Sequence, residues 1–260
     1  MPAYNAAAHV AEAIHSILQQ SLQDFELIVV DDASTDDTAA VVNAIVDPRI
    51  NLLRNETNKG VAFSLNKALQ ACTAPLIARM DADDIALPNR LEVQASFLEA
   101  HNHVTVVDVL QQYIDEDGSQ LNKTNEVISG PDAIAGILPW RNCLGHPSVM
   151  YRADVISQYN YRQIVYEDYD LWLRLVNDGY AIEKLLQPLL LFRVHQSSIT
   201  AKAARVNRHF KHIADTKWYY LSKLQVREYF RWFNIKVMIG CMQDYCTFCY
   251  KKLRQKLVAN

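Results

Sequence analysis

Glycine and proline are scarce in this chain: seven and eight among 260 residues. That excludes collagen-like and low-complexity architectures, and no period of solenoid length repeats. The amino-terminal stretch "PAYNAAAHV" has no glycine-rich phosphate loop, which argues against a nucleotidyltransferase. The five cysteines are odd in number and lack paired spacing. They fit a reducing compartment better than a disulfide framework. "CTFC" (Cys246, Cys249), with Cys241 five residues earlier, lacks a clear fourth ligand for tetrahedral zinc, so these thiols are expected to pack between helices. The amino terminus has no charged region followed by an apolar one, and the longest apolar run of the tail, "VMIG" through Met242, is far too short to span a bilayer. The expectation is a cytoplasmic protein, soluble or peripheral on the inner face of the membrane.

What is present is charge, unevenly placed. Residues 1–200 hold 13 Lys and Arg against 26 Asp and Glu, whereas residues 201–260 hold 13 against 3. A basic tail on an acidic body either docks on that body or meets an anionic surface such as a membrane. No nucleic-acid recognition motif accompanies it, so no nucleic-acid partner is expected.

Hydrophobic spacing gives a coarse order of elements. Val10, Ile14, Ile17 and Leu18 lie on one helical face, and "FELIVV" then reads as a buried strand ending in Asp31 and Asp32. "ASTDDTAAVVNAIV" restarts a helix with Ser34 or Thr35 as cap, "INLLRN" is a strand and "GVAFSLNKALQAC" a helix. "APLIARM" is the next strand, with Asp81, Asp83 and Asp84 at its carboxyl end. Alternating β and α elements imply a mostly parallel sheet flanked by helices, and ligands of such sheets bind beyond the carboxyl ends of the strands. A helix preceded by "PAYN" implies a strand before it of which little remains, so the first strand is expected to be cut short. Further on come the helix "NRLEVQASFLEA", the strand "VTVVDVL", a turn at "DEDG", a strand at "GHPSVMYR", the helix "EDYDLWLRLVNDGY" and the strand "LLLFRVH". Beyond about Ala201 the pattern is helical and basic, with Val226, Tyr229, Phe230, Phe233 and Val237 on one side.

Three carboxylates within four positions of "RMDADDI" repel one another unless a cation sits among them, which points to a divalent metal.

"PAYN", "FELIVVDDASTDDT", "RMDADDIALPNRL", "GHPSVMYR", "EDYDLWLRL" and "FRVHQSSIT", in that order, resemble family 2 glycosyltransferases of the GT-A fold over roughly residues 1–200. The resemblance implies a catalytic domain over residues 1–204 and leaves 205–260 as a basic amphipathic helical extension. It implies an inverting transfer of a sugar from a nucleotide-diphosphate donor, a UDP-sugar first, to a hydroxyl of a glycan or lipid-linked acceptor in surface polysaccharide synthesis. Mn²⁺ or Mg²⁺ would be the cofactor, with Asp83 as ligand and His195 beside it. Pro2, Ala3, Tyr4, Asp32, Lys59 and Asp81 would hold the donor nucleotide, and Asp168 would be the general base. Glu167, His146 and Arg152 would lie near the acceptor or behind the base, and Asp84 would brace the loop. A glycan or nucleotide-sugar binder without catalysis, disabled by the short first strand, is the alternative from a different class.

Overall fold

The computed structural model describes residues 1–195, 209–225, 228 and 231–258. The first half builds a parallel sheet. Strand β1 (Pro2–Ala3) pairs with β2 (Leu27–Asp31), which pairs with β3 (Ile50–Arg54), and the helices α1 (Val10–Leu18), α2 (Thr38–Ala44) and α3 (Val61–Ala71) connect or follow them. The short first strand is therefore present as two residues, and Met1 extends it by accepting a bond from the Val30 N–H. All five residues of β2 are buried, as a strand covered on both faces requires. In α1, Val10, Ala13, Ile14 and Ile17 are buried at helical spacing.

The second sheet is mixed. It contains β4 (Leu76–Ala78), β5 (Ile85–Ala86), β6 (Val104–Ile114), β7 (Gln120–Thr124), β8 (Met150–Arg152) and β9 (Ala181–Arg193). The long pair β6 and β9 is parallel, whereas β4–β8, β6–β8, β5–β9 and β6–β7 are antiparallel. Among the described residues, parallel pairing thus covers β1–β3 and the β6–β9 ladder only. The turn Asp115–Ser119 folds β7 back on β6 as a hairpin, and β8 arrives through a 3-10 turn (His146–Ser148) that reverses its direction. Helices α4 (Arg90–Ala100), α5 (Pro131–Ile137), α6 (Ala153–Ile156) and α7 (Glu167–Asn177) surround this sheet.

Ser34 and Thr35 do not cap α2, which begins later, at Thr38. Their side chains hold the "PAYN" loop instead: Ser34 Oγ accepts the Asn5 N–H, and Thr35 Oγ1, with its own N–H, donates to Asn5 Oδ1. Thr38 Oγ1 and Asp36 continue the clasp on the N–H groups of Ala6 and Ala7. Short polar side chains satisfy loop backbone as readily as helix ends.

Two further helices, α8 (His209–Ser222) and α9 (Trp232–Val258), pack on one another and on α7. Ala214, Tyr220, Leu221, Val237 and Cys241 join one apolar core with Leu171, Trp172 and Leu173 of α7. Lys217 is buried against Asp244 at 2.6 Å and donates to the Trp140 carbonyl, while Gly240 lies so close to Pro139 that an added Cβ would meet its carbonyl oxygen at 2.4 Å. Cys246 and Cys249 are exposed rather than packed, because they lie on the outer side of α9. Of the expected tail stripe, Val226, Tyr229 and Phe230 fall outside the described residues. No helix among the described residues is long and apolar enough to cross a membrane.

Candidate active site

Four segments bring ionisable side chains to the carboxyl ends of the strands. Asp31 and Asp32 end β2. Asp81, Asp83 and Asp84 follow β4, Glu167 and Asp168 open α7, and His195 follows β9.

Asp32 is held by the protein. Its Oδ1 accepts from Asn55 Nδ2 at 2.7 Å and from the Lys59 N–H at 2.9 Å, and its Oδ2 accepts the Gly60 N–H at 2.7 Å. It thereby anchors the loop that carries Lys59, whose side chain is exposed. Asp31 is fully buried, accepts the Ser34 N–H and pairs with Arg54 at 2.9 Å. Pro2 and Ala3 stand beside Val30 and Asp31 in register, and Tyr4 leaves 49% of its surface open, a ring face available for stacking.

The acidic loop divides its labour. Asp84 is fully buried, and its Oδ1 accepts the Arg193 N–H at 2.9 Å. Its Oδ2 has no protein partner. Burial, with Asp81 and Asp83 beside it, pushes this carboxyl well above the usual range. Burial and then Asp81 likewise raise Asp83, whose Oδ2 lies 3.0 Å from His195 Nε2. Ligand atoms of Asp81, Asp83 and Asp84 lie within 4.8 Å of one another. An orphaned carboxylate oxygen within a cluster of three carboxylates is a donor set suited to a hard divalent cation. Arg193 serves the same loop: its Nε donates to the Asp83 carbonyl and its guanidinium to Glu12 and the Glu116 carbonyl.

Glu167, Asp168 and His146 form a second cluster with ligand atoms within 4.8 Å. Burial and the neighbouring Asp168 push Glu167 up to about 7. Asp168 is raised by burial, opposed by its own backbone bonds, by Arg79 and by Asn142 Nδ2 at 2.9 Å. Burial, then Arg79, holds His146 well below its usual value, so the ring is neutral and its Nε2 meets the Tyr161 hydroxyl at 3.0 Å. Tyr166, which caps α7, has φ 58°, a left-handed conformation that turns the chain into the helix and costs about 1–2 kcal/mol for a residue with a Cβ.

Arg79 joins the two clusters. It is buried and grips both oxygens of Asp81, at 2.8 and 2.7 Å. Burial opposes its charge, but Asp81, Tyr161 and Glu167 outweigh it and the net push is upward, so it stays a cation. Glu167 in turn feels both Arg79 and Asp81.

Arg152 does not join the site. It pairs with Leu76 at the opposite, amino end of β4, and its guanidinium donates to the carbonyls of Leu98 in the last turn of α4 and Val104 at the start of β6. Carbonyls in a helix's last turn lack intrahelical partners, and an arginine satisfies them well. Two residues that sequence reasoning passed over matter more. Asp108 of β6 and Lys184 of β9 form a fully buried pair at 3.0 Å, and Asp108 also accepts from the Gly145 N–H and Ser148 Oγ. This network pins the turn that presents His146. Its signal was a charged residue inside the apolar strand "VTVVDVL".

The model of the family described as Glycosyl transferase family 2 matches residues 1–159. The putative glycosyltransferase EpsE of Bacillus subtilis is 38% identical over 206 residues, 76% of this chain and 72% of that protein. The O-antigen biosynthesis glycosyltransferase WbnJ of Escherichia coli is 31% identical over 252 residues, 94% of this chain and 92% of that one. Among solved structures, the mannosyltransferase PcManGT from Pyrobaculum calidifontis, in complex with GDP-Man and Mn²⁺, superposes with a TM-score of 0.63 at 16% identity, covering 99% of this chain and 78% of that one. With the α/β core, the acidic loop after β4 and the acidic start of α7 in place, these matches make the chain a member of glycosyl transferase family 2 with the GT-A fold.

Proposed function

We propose that the chain is an inverting glycosyltransferase that moves a sugar from a nucleotide-diphosphate donor, a UDP-sugar first, to a hydroxyl of a glycan or lipid-linked acceptor in surface polysaccharide synthesis. The observation that carries the reading is the pairing of two acidic clusters, Asp81–Asp83–Asp84 and Glu167–Asp168, across one buried arginine. A donor and an acceptor need such adjacent but distinct sets of carboxylates.

Pro2, Ala3, Tyr4, Asp32, Lys59 and Asp81 bind the donor nucleotide. Asp32 already spends three acceptor positions on protein donors, so its remaining lone pair on Oδ2 faces the base. Asp83 and His195 are the residues that would hold Mn²⁺ or Mg²⁺, and the orphaned Asp84 oxygen beside them favours the fit. When bound, the cation neutralises charge on the departing diphosphate. Asp168 takes the proton of the acceptor hydroxyl as its oxygen attacks the anomeric carbon, and the bond to the diphosphate breaks on the opposite face. A carboxylate raised by burial is the stronger base for that transfer. Asn142 holds the Asp168 carboxylate at 2.9 Å, and Glu167, with neutral His146 3.7 Å from it, stands beside that carboxylate on the acceptor side. WbnJ is named for O-antigen synthesis, and the surface-polysaccharide assignment extends that role to this chain.

Calorimetry with UDP and GDP, each with and without Mn²⁺, tests the site. Asp83→Ala is expected to abolish metal-dependent binding. Asp168→Asn is expected to keep it and lose transfer, and undiminished transfer by that variant would remove Asp168 as base. Trp218 and Trp232, exposed at 66% and 67% on the basic α8–α9 unit, support contact with an anionic leaflet near a lipid-linked acceptor. Failure to float on anionic vesicles ends that part of the proposal.

A further inference from the structure

Helix α9 has one face in the core and one face outside it. Val237, Cys241 and Asp244 turn inward, to the apolar core shared with α8 and to Lys217. On the other side Ile239, Met242 and Leu253 expose 49%, 65% and 63% of their surface, and Cys246 and Cys249 are exposed between them. With half-buried Ile235, these residues follow one another at intervals of four, three, four, three and four. That is the 3.5-residue repeat of a two-stranded helical seam. Ile239, Cys246 and Leu253 take one core position of the heptad, and Ile235, Met242 and Cys249 take the other. At 1.5 Å per residue the stripe is about 27 Å long.

Charge indicates what covers it. From Val237 to Tyr250 the only charged residue is Asp244, which is paired with Lys217. The positions flanking the middle of the seam are Met238, Gln243, Tyr245 and Tyr250. Basic residues stand only toward the ends, at Lys236 and at Lys251, Lys252 and Arg254. A helix held by anionic lipid carries Lys or Arg along its polar edges. An uncharged middle with Met and Tyr at its margins suits a protein surface instead, and a surface that repeats the same pattern is a second copy of this chain.

We propose that α9 pairs with α9 of a second copy in antiparallel order, about a two-fold axis at the level of Asp244. This order sets Ile235 against the partner's Leu253, Ile239 against the partner's Cys249 and Met242 against the partner's Cys246. Large faces small in the inner layers, as interdigitating helices require. The thiols of "CTFC" serve there as small apolar side chains, so the packing between helices expected of them is met by two chains rather than one. Direction follows from charge. A parallel pair aligns the two basic ends at residues 251–254 and both helix dipoles, and the antiparallel pair separates them. Lys236 then flanks the partner's Tyr250, a ring that attracts a cation, and Lys252 flanks the partner's Met238. Trp218 belongs to α8 and lies outside the seam.

Sedimentation of the whole chain between about 1 and 100 µM tests the pairing. The mass is expected to double from 29.7 kDa across that range. Met242→Glu, at an exposed position of the single chain, is expected to weaken the dimer at least about tenfold and to leave monomer stability unchanged. A monomer throughout the range, or a dimer indifferent to Met242→Glu, overturns the proposal. So does a monomer that floats on anionic vesicles and loses that binding with Met242→Glu, which gives the face to a leaflet. Direction is read by air oxidation of Met242→Cys in a Cys249→Ser background. The antiparallel order predicts a disulfide-linked dimer that disappears when Cys246→Ser is added, and a cross-link that survives refutes that order. None of these readouts uses donor, metal or transfer, so their failure leaves the glycosyltransferase reading untouched.

Discussion

Replacing Glu167 by glutamine tests the electrostatics of the second cluster most directly. Its carboxyl is buried, lies beside Asp168 and is pushed from 4.5 to about 7. One pKa unit corresponds to about 1.4 kcal/mol, so the ionised form is disfavoured in the folded chain by about 3 kcal/mol. The folded-state value lies above the unfolded one. The folded protein therefore keeps this proton longer, and the side chain detracts nothing below pH 4.5. The penalty grows from pH 4.5 to 7 and is complete above it. Glutamine keeps the shape and cannot ionise, so Glu167→Gln is expected to leave stability unchanged at pH 4.5 and to raise it by about 3 kcal/mol at pH 8. At 2–4 °C per kcal/mol this is on the order of 8 °C in melting temperature. Denaturant titrations of both proteins across that range, with chelator present, measure it. Parallel stability curves from pH 4.5 to 8 would refute the assignment of a raised, buried carboxyl to Glu167.

Lys184→Met leaves Asp108 charged and unpaired in a fully buried position, and is expected to cost about 3–5 kcal/mol. Adding Asp108→Asn to it should restore part of the loss, as a denaturation double-mutant cycle would show. Gly145→Ala places a methyl group 2.1 Å from Gln111 Nε2 and 2.6 Å from Ser148 Oγ, at an ordinary φ of −94°. The clash is steric alone, and a loss of about 1–3 kcal/mol is expected, with a lower transfer rate because the same turn carries His146.

Much of this architecture was legible because its signals are local. The buried strand β2, the helical face of α1 and the acidic loop after β4 each follow from spacing or composition within a few residues. The pairing directions of β4, β5, β7 and β8 were not legible, because they depend on contacts between segments up to about a hundred residues apart. Arg152 misled for a related reason: an arginine in a motif resembles an anion ligand, yet carbonyls at the end of α4 and the start of β6 claimed it. The role of Ser34 was masked because a cap and a loop clasp use the same hydroxyl. Arg79 stood two residues before the first of the quoted carboxylates, but only the fold places it between the two clusters.

The contact at Gly240 has a mechanical consequence. With only a hydrogen where a side chain would stand, α9 bears on the Pro139 carbonyl, and three residues later Asn142 holds the oxygen of Asp168. A displacement of that helix cannot be absorbed by a yielding side chain, so it is delivered to the segment that holds Asp168, as through a lever with its fulcrum at one glycine. Whatever grips the outer surface of α9 would therefore also shift the Asp168 carboxylate.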